Sequence, residues 1–509
     1  MAYAASESDM YDILVIGGGI NGVGIARDAA GRGLKVLLCE KDDLASHTSS
    51  SSTKLIHGGL RYLEHYDFAL VRKALAEREV LLKAAPHIIW PMRFVLPHQK
   101  DQRPAWLVRI GLFLYDYMGG RKILPPTAVL KRAKTDKFDA LKPEYIKAFE
   151  YSDCWVDDAR LVVLNAVDAA ERGAKVMTRS ECVDITRHAD HWSAVLRTEA
   201  GDVTVEARTI VNAAGPWVDD VAEIAVEKRR NSGRVRLVKG SHIVTRKLFE
   251  GDHAYFFQNG DGRIIFAIPY EAGTSTLIGT TDVPFAADNN DVRISPEEVD
   301  YLCEAVSEYF QKPITSGDVT STYSGVRPLY DDHNEDASEV TRDYVLAYNK
   351  TGGAPVLSVY GGKITTYRKL SEGTLKILSE TLGDLAEPWT KDAPLPGGDI
   401  ANADFDGFLA TKAAQYPAFP EAMLTRLARA YGTRVDKVIG AAKNPEGLGK
   451  HFGSGLYEAE INYLVASEFA KSVDDILVRR SKLGLHMTQA EIDALTNWFE
   501  QKYPTPTAS

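Results

Sequence analysis

Cysteine is scarce in this chain: Cys39, Cys154, Cys182 and Cys303 are the only four among 509 residues. They lie far apart and form no Cys-x-x-Cys pair, so neither a zinc site nor a disulfide framework is expected, and a reducing, cytoplasmic setting fits best. Long apolar runs are also missing. A membrane span needs about 18 consecutive apolar residues, and the nearest stretch, Trp106 to Met118, is interrupted by Arg109 and Asp116. The first ten residues lack the basic start and apolar core of a secretory signal, so export is not expected. Nor is there an excess of positive charge. Lys and Arg number 60 against 70 Asp and Glu, a net charge of -10, which argues against general attraction to nucleic acid. No internal repeat of about 20 to 50 residues is evident. What remains is 45% hydrophobic and 26% charged residues, the balance of a globular protein long enough for about three domains.

The first informative segment is local. Asp12 to Ile16 is a short apolar, β-branched run that leads into Gly17-Gly18-Gly19-Ile20-Asn21-Gly22, a Gly-x-Gly-x-x-Gly pattern. Ile20, Val23, Ile25, Ala26, Ala29 and Ala30 then recur at helical spacing until Gly31-Arg32-Gly33, and Lys35 to Cys39 forms a second strand-like run ending in Glu40. In this pattern the first glycine makes a tight turn. Gly19 lets a pyrophosphate approach the backbone, and Gly22 lets helix pack on strand. The helix N-terminus offers partial positive charge to phosphates. Glu40 stands where a carboxylate accepts from ribose hydroxyls and repels a 2′-phosphate, favouring FAD or NAD over NADP.

Three further features point to FAD. The polar run Thr48-Ser49-Ser50-Ser51-Ser52-Thr53 leads into a dense His57-Gly58-Gly59-Leu60-Arg61-Tyr62 cluster. Thr209 to Trp217 is a strand with an abrupt small-residue turn at Ala213-Ala214-Gly215. Finally, Val356 to Tyr360 runs through Gly361-Gly362-Lys363-Ile364-Thr365 into a helix with Tyr367, Leu370, Leu375, Leu378 and Leu382 on one face. A helix N-terminus plus a lysine suits the negative charge of a reduced flavin.

Taken with Lys54 to Glu64, Phe149 to Arg160, Lys239 to Val244, Ile278-Gly-Thr-Thr-Asp282, Tyr323 to Leu329 and Thr341 to Tyr344, these segments resemble the aerobic, respiratory FAD-dependent sn-glycerol-3-phosphate dehydrogenases, from about residue 10 to about residue 485. The resemblance implies an α/β fold: a glutathione-reductase-like FAD-binding Rossmann domain, an inserted antiparallel-sheet substrate domain and a C-terminal helical domain. It also implies attachment to the inner face of the cell membrane, and a membrane quinone that takes electrons from the flavin after glycerol 3-phosphate is oxidised to dihydroxyacetone phosphate. Within its motifs, Gly17, Gly18, Gly19, Asn21, Gly22, Glu40, Thr48, Ser49, Gly58, Gly215, Gly362 and Thr365 are expected to face the cofactor.

A substrate phosphate calls for a charge clamp, preferably of arginine, whose fork donates two aligned hydrogen bonds. The candidates are Arg61, Arg327, Arg342 and Lys363, with Tyr62 beside them; the motif matches favour Arg327 and Lys363. Oxidation also needs a proton acceptor, and histidine suits that role near neutral pH. His242 is the favoured base, with His57 orienting substrate or flavin, so that His242, His57, Arg327 and Lys363 form the expected catalytic set. No metal site is expected.

The domain boundaries expected are 1–90, 146–230 and 319–390 for the FAD-binding domain, 91–145 for a cap or membrane-surface segment, 231–318 for the antiparallel sheet and 391–509 for the C-terminal helices. Between Arg103 and Lys137, Trp106, Leu107, Ile110, Leu114 and Tyr117 mix with Arg103, Arg109, Arg121, Lys122, Lys131, Arg132, Lys134 and Lys137. That composition suits an anionic lipid surface or, equally, a core helix beside a solvated loop. A homodimer is possible from the C-terminal helices. Two other readings stay open: an oxygen-using glycerol-3-phosphate or amine oxidase, and a flavin-fold protein that binds without catalysis.

Overall fold

The computed structural model describes residues 10–63, 66–99, 102–120, 122–225, 235–286, 290–331 and 343–504. Arg121 and Arg342 lie outside these residues.

The strand Tyr11–Ile16 is flanked by Gly201–Asn212 and Val36–Cys39, both parallel to it. Val356–Tyr360 and Lys175–Met177 extend this parallel core on either side, and Val345–Asn349 adds an antiparallel edge. Its strands are apolar on both faces, as a parallel sheet covered on both sides requires. Three helices pack together beside it: Ile20–Gly31, Asp158–Glu171 and Tyr367–Leu382. Tyr367, Leu370, Leu375 and Leu378 of the last are buried in the shared core, as their spacing predicts.

A second, ten-stranded sheet stands beside the first. Near one edge, Val235–Arg246 is paired antiparallel with Ser275–Gly279 and Val319–Tyr330. The expected hairpin is present: Ala254–Gln258 pairs with Ile264–Tyr270, and the Asn259 amide donates to Arg263 O at 3.0 Å across the turn. The sheet extends well beyond 231–318, however. Ala254–Gln258 lies parallel to Ile89–His98, which pairs with Lys147–Val156, so strands from the expected cap and FAD-binding segments join it. A side-by-side pairing of strands so distant in sequence leaves no local signature, unlike a hairpin turn.

The C-terminal region carries its own apolar core, built from the helices Glu421–Tyr431, Glu458–Ser467 and Gln489–Lys502, with Leu427, Leu464 and Leu495 inside. All four cysteines are unpaired.

Candidate functional site

The glycines of the first turn divide by what they face. Gly17 adopts φ +113°, and a Cβ there would collide with the Ala213 carbonyl; a Cβ on Gly22 would collide with the carbonyl of Gly17. Those two are demanded by the fold itself. Gly19 differs, because a Cβ there would meet only the Ser49 hydroxyl, at 3.1 Å, and the residue lines an open cavity of about 590 Å³. Gly19 is the N-cap of the helix Ile20–Gly31 and, lacking a side chain, makes no cap bond of its own. Its first turn therefore offers amides and partial positive charge to an anion.

Glu40 completes the cradle. It accepts from the Gly18 amide at 2.6 Å and the Asp42 amide at 2.9 Å. Burial, the largest influence, raises its carboxyl above the usual range, against the pull of those two amides. Thr48 and Ser49 sit in a short helical turn on the opposite wall. Ser49 accepts from the Ile20 amide at 3.0 Å, and Thr48 donates to the Val326 carbonyl at 2.7 Å.

Gly19, Thr48, Ser49, Ala213 and Gly215 also line a second cavity of about 330 Å³, so the two form one groove. A dinucleotide running from Glu40 past the start of that helix into the second cavity fits this groove. Asn21 stands at the junction: its amide donates to Gly361 O at 3.2 Å, while its Oδ1 is buried with no partner. Gly362, Thr365, His57, Tyr62, Arg327 and Lys363 line the inner cavity.

The inner cavity is cationic at its mouth. Arg327 donates to Asp282 Oδ1 at 2.6 Å and to Thr280 Oγ1 at 3.1 Å. Lys363 lies 3.6 Å from the centre of the Tyr62 ring. His57 is pushed down to about 4 by burial first and then by Lys363 and Arg78. His242 is also driven well below the ordinary histidine value, by burial and then by Arg327 and Lys54. It is 1% exposed and stacks on Tyr323 at 4.7 Å. Its route to the cavity is Thr53, whose hydroxyl is 3.0 Å from Nε2 and which lines the cavity wall. Burial and the neighbouring cations thus favour the neutral form of both histidines.

Two expected residues lie elsewhere. Gly58 is packed away from the groove: its amide donates to the Tyr115 hydroxyl at 2.8 Å, and a Cβ would strike Leu75. Arg61 is half-buried and is not among the residues lining either cavity. Conversely, sequence reasoning assigned no role to Thr53, Thr280 or Asp282 individually. Thr280 and Asp282 stand inside Ile278-Gly-Thr-Thr-Asp282, where the signal was a polar cluster closing an apolar strand.

Comparison with known proteins agrees with this geometry. Residues 12–368 match the family model for FAD dependent oxidoreductases. Residues 388–500 match the C-terminal domain of alpha-glycerophosphate oxidase. The chain is 54% identical to D-erythritol 1-phosphate dehydrogenase of Brucella abortus, over 97% of this chain and 99% of the relative. It is 48% identical to glycerol-3-phosphate dehydrogenase of Pseudomonas aeruginosa, over 98% and 97%. Among solved structures, the glycerol-3-phosphate dehydrogenase of Bacillus halodurans complexed with FAD aligns with a TM-score of 0.78 and 29% identity, covering 98% of this chain and 92% of that one.

Proposed function

Because the chain belongs to the FAD-dependent glycerol-3-phosphate dehydrogenase family, we propose that it oxidises sn-glycerol 3-phosphate to dihydroxyacetone phosphate and passes the electrons to a membrane quinone. Bound FAD supplies the two-electron acceptor for the hydride. The observation that carries the reading is that Arg327, Lys363 and His57 line one cavity, with His242 behind its wall and in contact with it through Thr53. Arg327, steadied by Asp282, presents its fork to the substrate phosphate. Lys363, at the start of the turn leading into Tyr367–Leu382, adds charge near the reacting end. The substrate hydroxyl gives its proton to Thr53, whose own proton passes to His242 Nε2. His57 orients the substrate.

A second substrate is favoured by one observation, the 54% identity with the D-erythritol 1-phosphate dehydrogenase. A four-carbon polyol phosphate shares the phosphate and secondary alcohol and adds a hydroxyl. Anaerobic mixing of the FAD-loaded protein with each polyol phosphate separates the two: the correct substrate bleaches the flavin absorbance, and addition of a soluble quinone restores it. Peroxide formation in air without quinone reduction would favour the oxidase, and failure of either polyol phosphate to bleach the flavin would leave only a binding role. With the acceptor histidine held below its ordinary value of 6.5, the bleaching rate stays flat from pH 8 down through 6.5 and falls only in more acid solution, where His242 becomes protonated. A midpoint at or above 6.5 contradicts the assignment.

The membrane contact centres on the helix Ala105–Met118. Trp106, Phe113 and Tyr117 are 66%, 59% and 61% exposed, and Ile110 is 48% exposed, while Leu112, Tyr115 and Asp116 face inward. No helix among the described residues is long and apolar enough to cross a membrane. Arg103 and Lys122 flank the helix and Arg109 lies on it, each basic residue adding about 1 kcal/mol at an anionic surface. Arg132 and Lys137 serve the fold instead: Arg132 donates to the Tyr145 and Leu141 carbonyls, and Lys137 pairs with Glu150. Replacing Trp106 and Phe113 by glutamine is expected to abolish co-sedimentation with vesicles containing phosphatidylglycerol, and Arg103→Gln with Arg109→Gln to weaken it in a salt-dependent way. Unchanged sedimentation of both variants rejects this surface.

A further inference from the structure

Among the described residues, the C-terminal domain lends no side chain to the groove, yet one of its segments grips both walls. The wide helical turn Asp475–Arg480 and the following Lys482 make three attachments, the first fully buried and the other two partly so. At the first, Asp43 receives Arg479 Nε at 2.5 Å and both terminal nitrogens of Arg480, one at 2.8 Å. Asp43 follows Glu40 by three residues, in the loop that walls the outer cavity. Asp43 and Arg480 are only 2% and 1% exposed, and Arg480 is itself braced by two donations to the Glu468 carbonyl. At the second, Asp475 accepts from Arg179 at 2.9 Å, and the Arg179 amide donates to Asp42 O at 2.8 Å.

The third lies across the groove. Lys482 pairs with Asp157. The neighbouring Asp158 accepts from Lys54 Nζ at 2.8 Å and from the Ser52 hydroxyl at 2.7 Å. Ser52 and Thr53 line the inner cavity. Buried ion pairs add little net stability compared with apolar packing, because desolvation offsets their attraction. Their use here is geometric: each fixes a segment at the edge of the groove. We propose that the segment Asp475–Lys482 is a cofactor clasp, whose positioning residues Arg480 and Lys482 set how fast FAD leaves by holding the 40–47 loop and the Ser52–Lys54 segment against the groove.

FAD release from the loaded protein, followed by the rise in flavin fluorescence on dilution, tests the clasp. Asp43→Asn removes the charge both arginines share at nearly constant shape, and Lys482→Met acts at the opposite wall. Each is expected to speed release about tenfold or more, as loss of a buried charged hydrogen bond implies. Arg480→Lys, which keeps charge but loses the fork, should fall between wild type and Asp43→Asn. Arg434→Gln is the control. It breaks an ion pair from the same domain to Glu171, at the far end of the helix Asp158–Glu171, and should leave release unchanged. Melting of the FAD-stripped variants separates retention from general stability. The clasp is rejected if Asp43→Asn and Lys482→Met release FAD at the wild-type rate, or if Arg434→Gln accelerates release as much. It is equally rejected if the stripped variants lose as much melting temperature as the loaded ones. Should Asp43→Asn fail to fold, Lys482→Met decides alone.

Discussion

Gly19→Val gives a folded protein that purifies without FAD. A Cβ at this position meets only one hydroxyl, at 3.1 Å, so the added side chain points into the groove rather than into the protein. It takes up the space that a pyrophosphate needs to reach the amides at the start of Ile20–Gly31. Gly22→Val behaves differently, because its side chain drives into the Gly17 carbonyl and separates the first helix from the first strand. The expected result is a soluble Gly19→Val protein with a near-native melting curve in the stripped state and under about 5% of the wild-type flavin per chain, beside an insoluble or strongly destabilised Gly22→Val. Flavin absorbance against protein absorbance measures the first, and circular dichroism the second. Gly19→Val protein with full flavin content would remove the assigned cofactor site.

The second large effect is at the substrate end. Arg327→Ala removes a forked cation whose loss is expected to raise KM for the polyol phosphate about 100-fold or more, since truncating one side of a buried charge pair removes roughly 2 to 5 kcal/mol. Flavin content stays at the wild-type level, because Arg327 touches Asp282 and Thr280 rather than the cradle. Part of the loss comes from Asp282, left facing the incoming phosphate with no cation beside it. Adding Asp282→Ala to Arg327→Ala should therefore recover part of the affinity, a non-additivity expected only if the two side chains form one unit. Steady-state kinetics with a soluble quinone reads both. Equal flavin loss in Arg327→Ala and Gly19→Val would contradict the division of roles.

These two residues also mark what could be read from the chain. The cradle lies within thirty contiguous residues, where turn, helix spacing and terminal acid constrain one another, and Gly17, Gly19, Gly22 and Glu40 occupy the positions their spacing predicts. The inner cavity is assembled from distant segments. Arg327 meets Asp282 because Val319–Tyr330 and the strand Ser275–Gly279, with the loop after it, pair with the same strand, Val235–Arg246, a register no local pattern reveals. Gly58 misled for the opposite reason. It sits in a dense motif beside His57, but the motif also packs, and its glycine makes room for Leu75 and the Tyr115 hydroxyl. The clasp is less visible still, since its ion pairs join residues 296 to 437 positions apart and look like ordinary surface charge in sequence.

The bond from Thr48 to the Val326 carbonyl reaches further than its length suggests. Thr48 belongs to the wall that the nucleotide must touch, and Val326 immediately precedes the arginine that awaits the phosphate. A dinucleotide seated against Thr48 would therefore bear on the strand that carries Arg327, so that the two ligands are linked through one hydrogen bond.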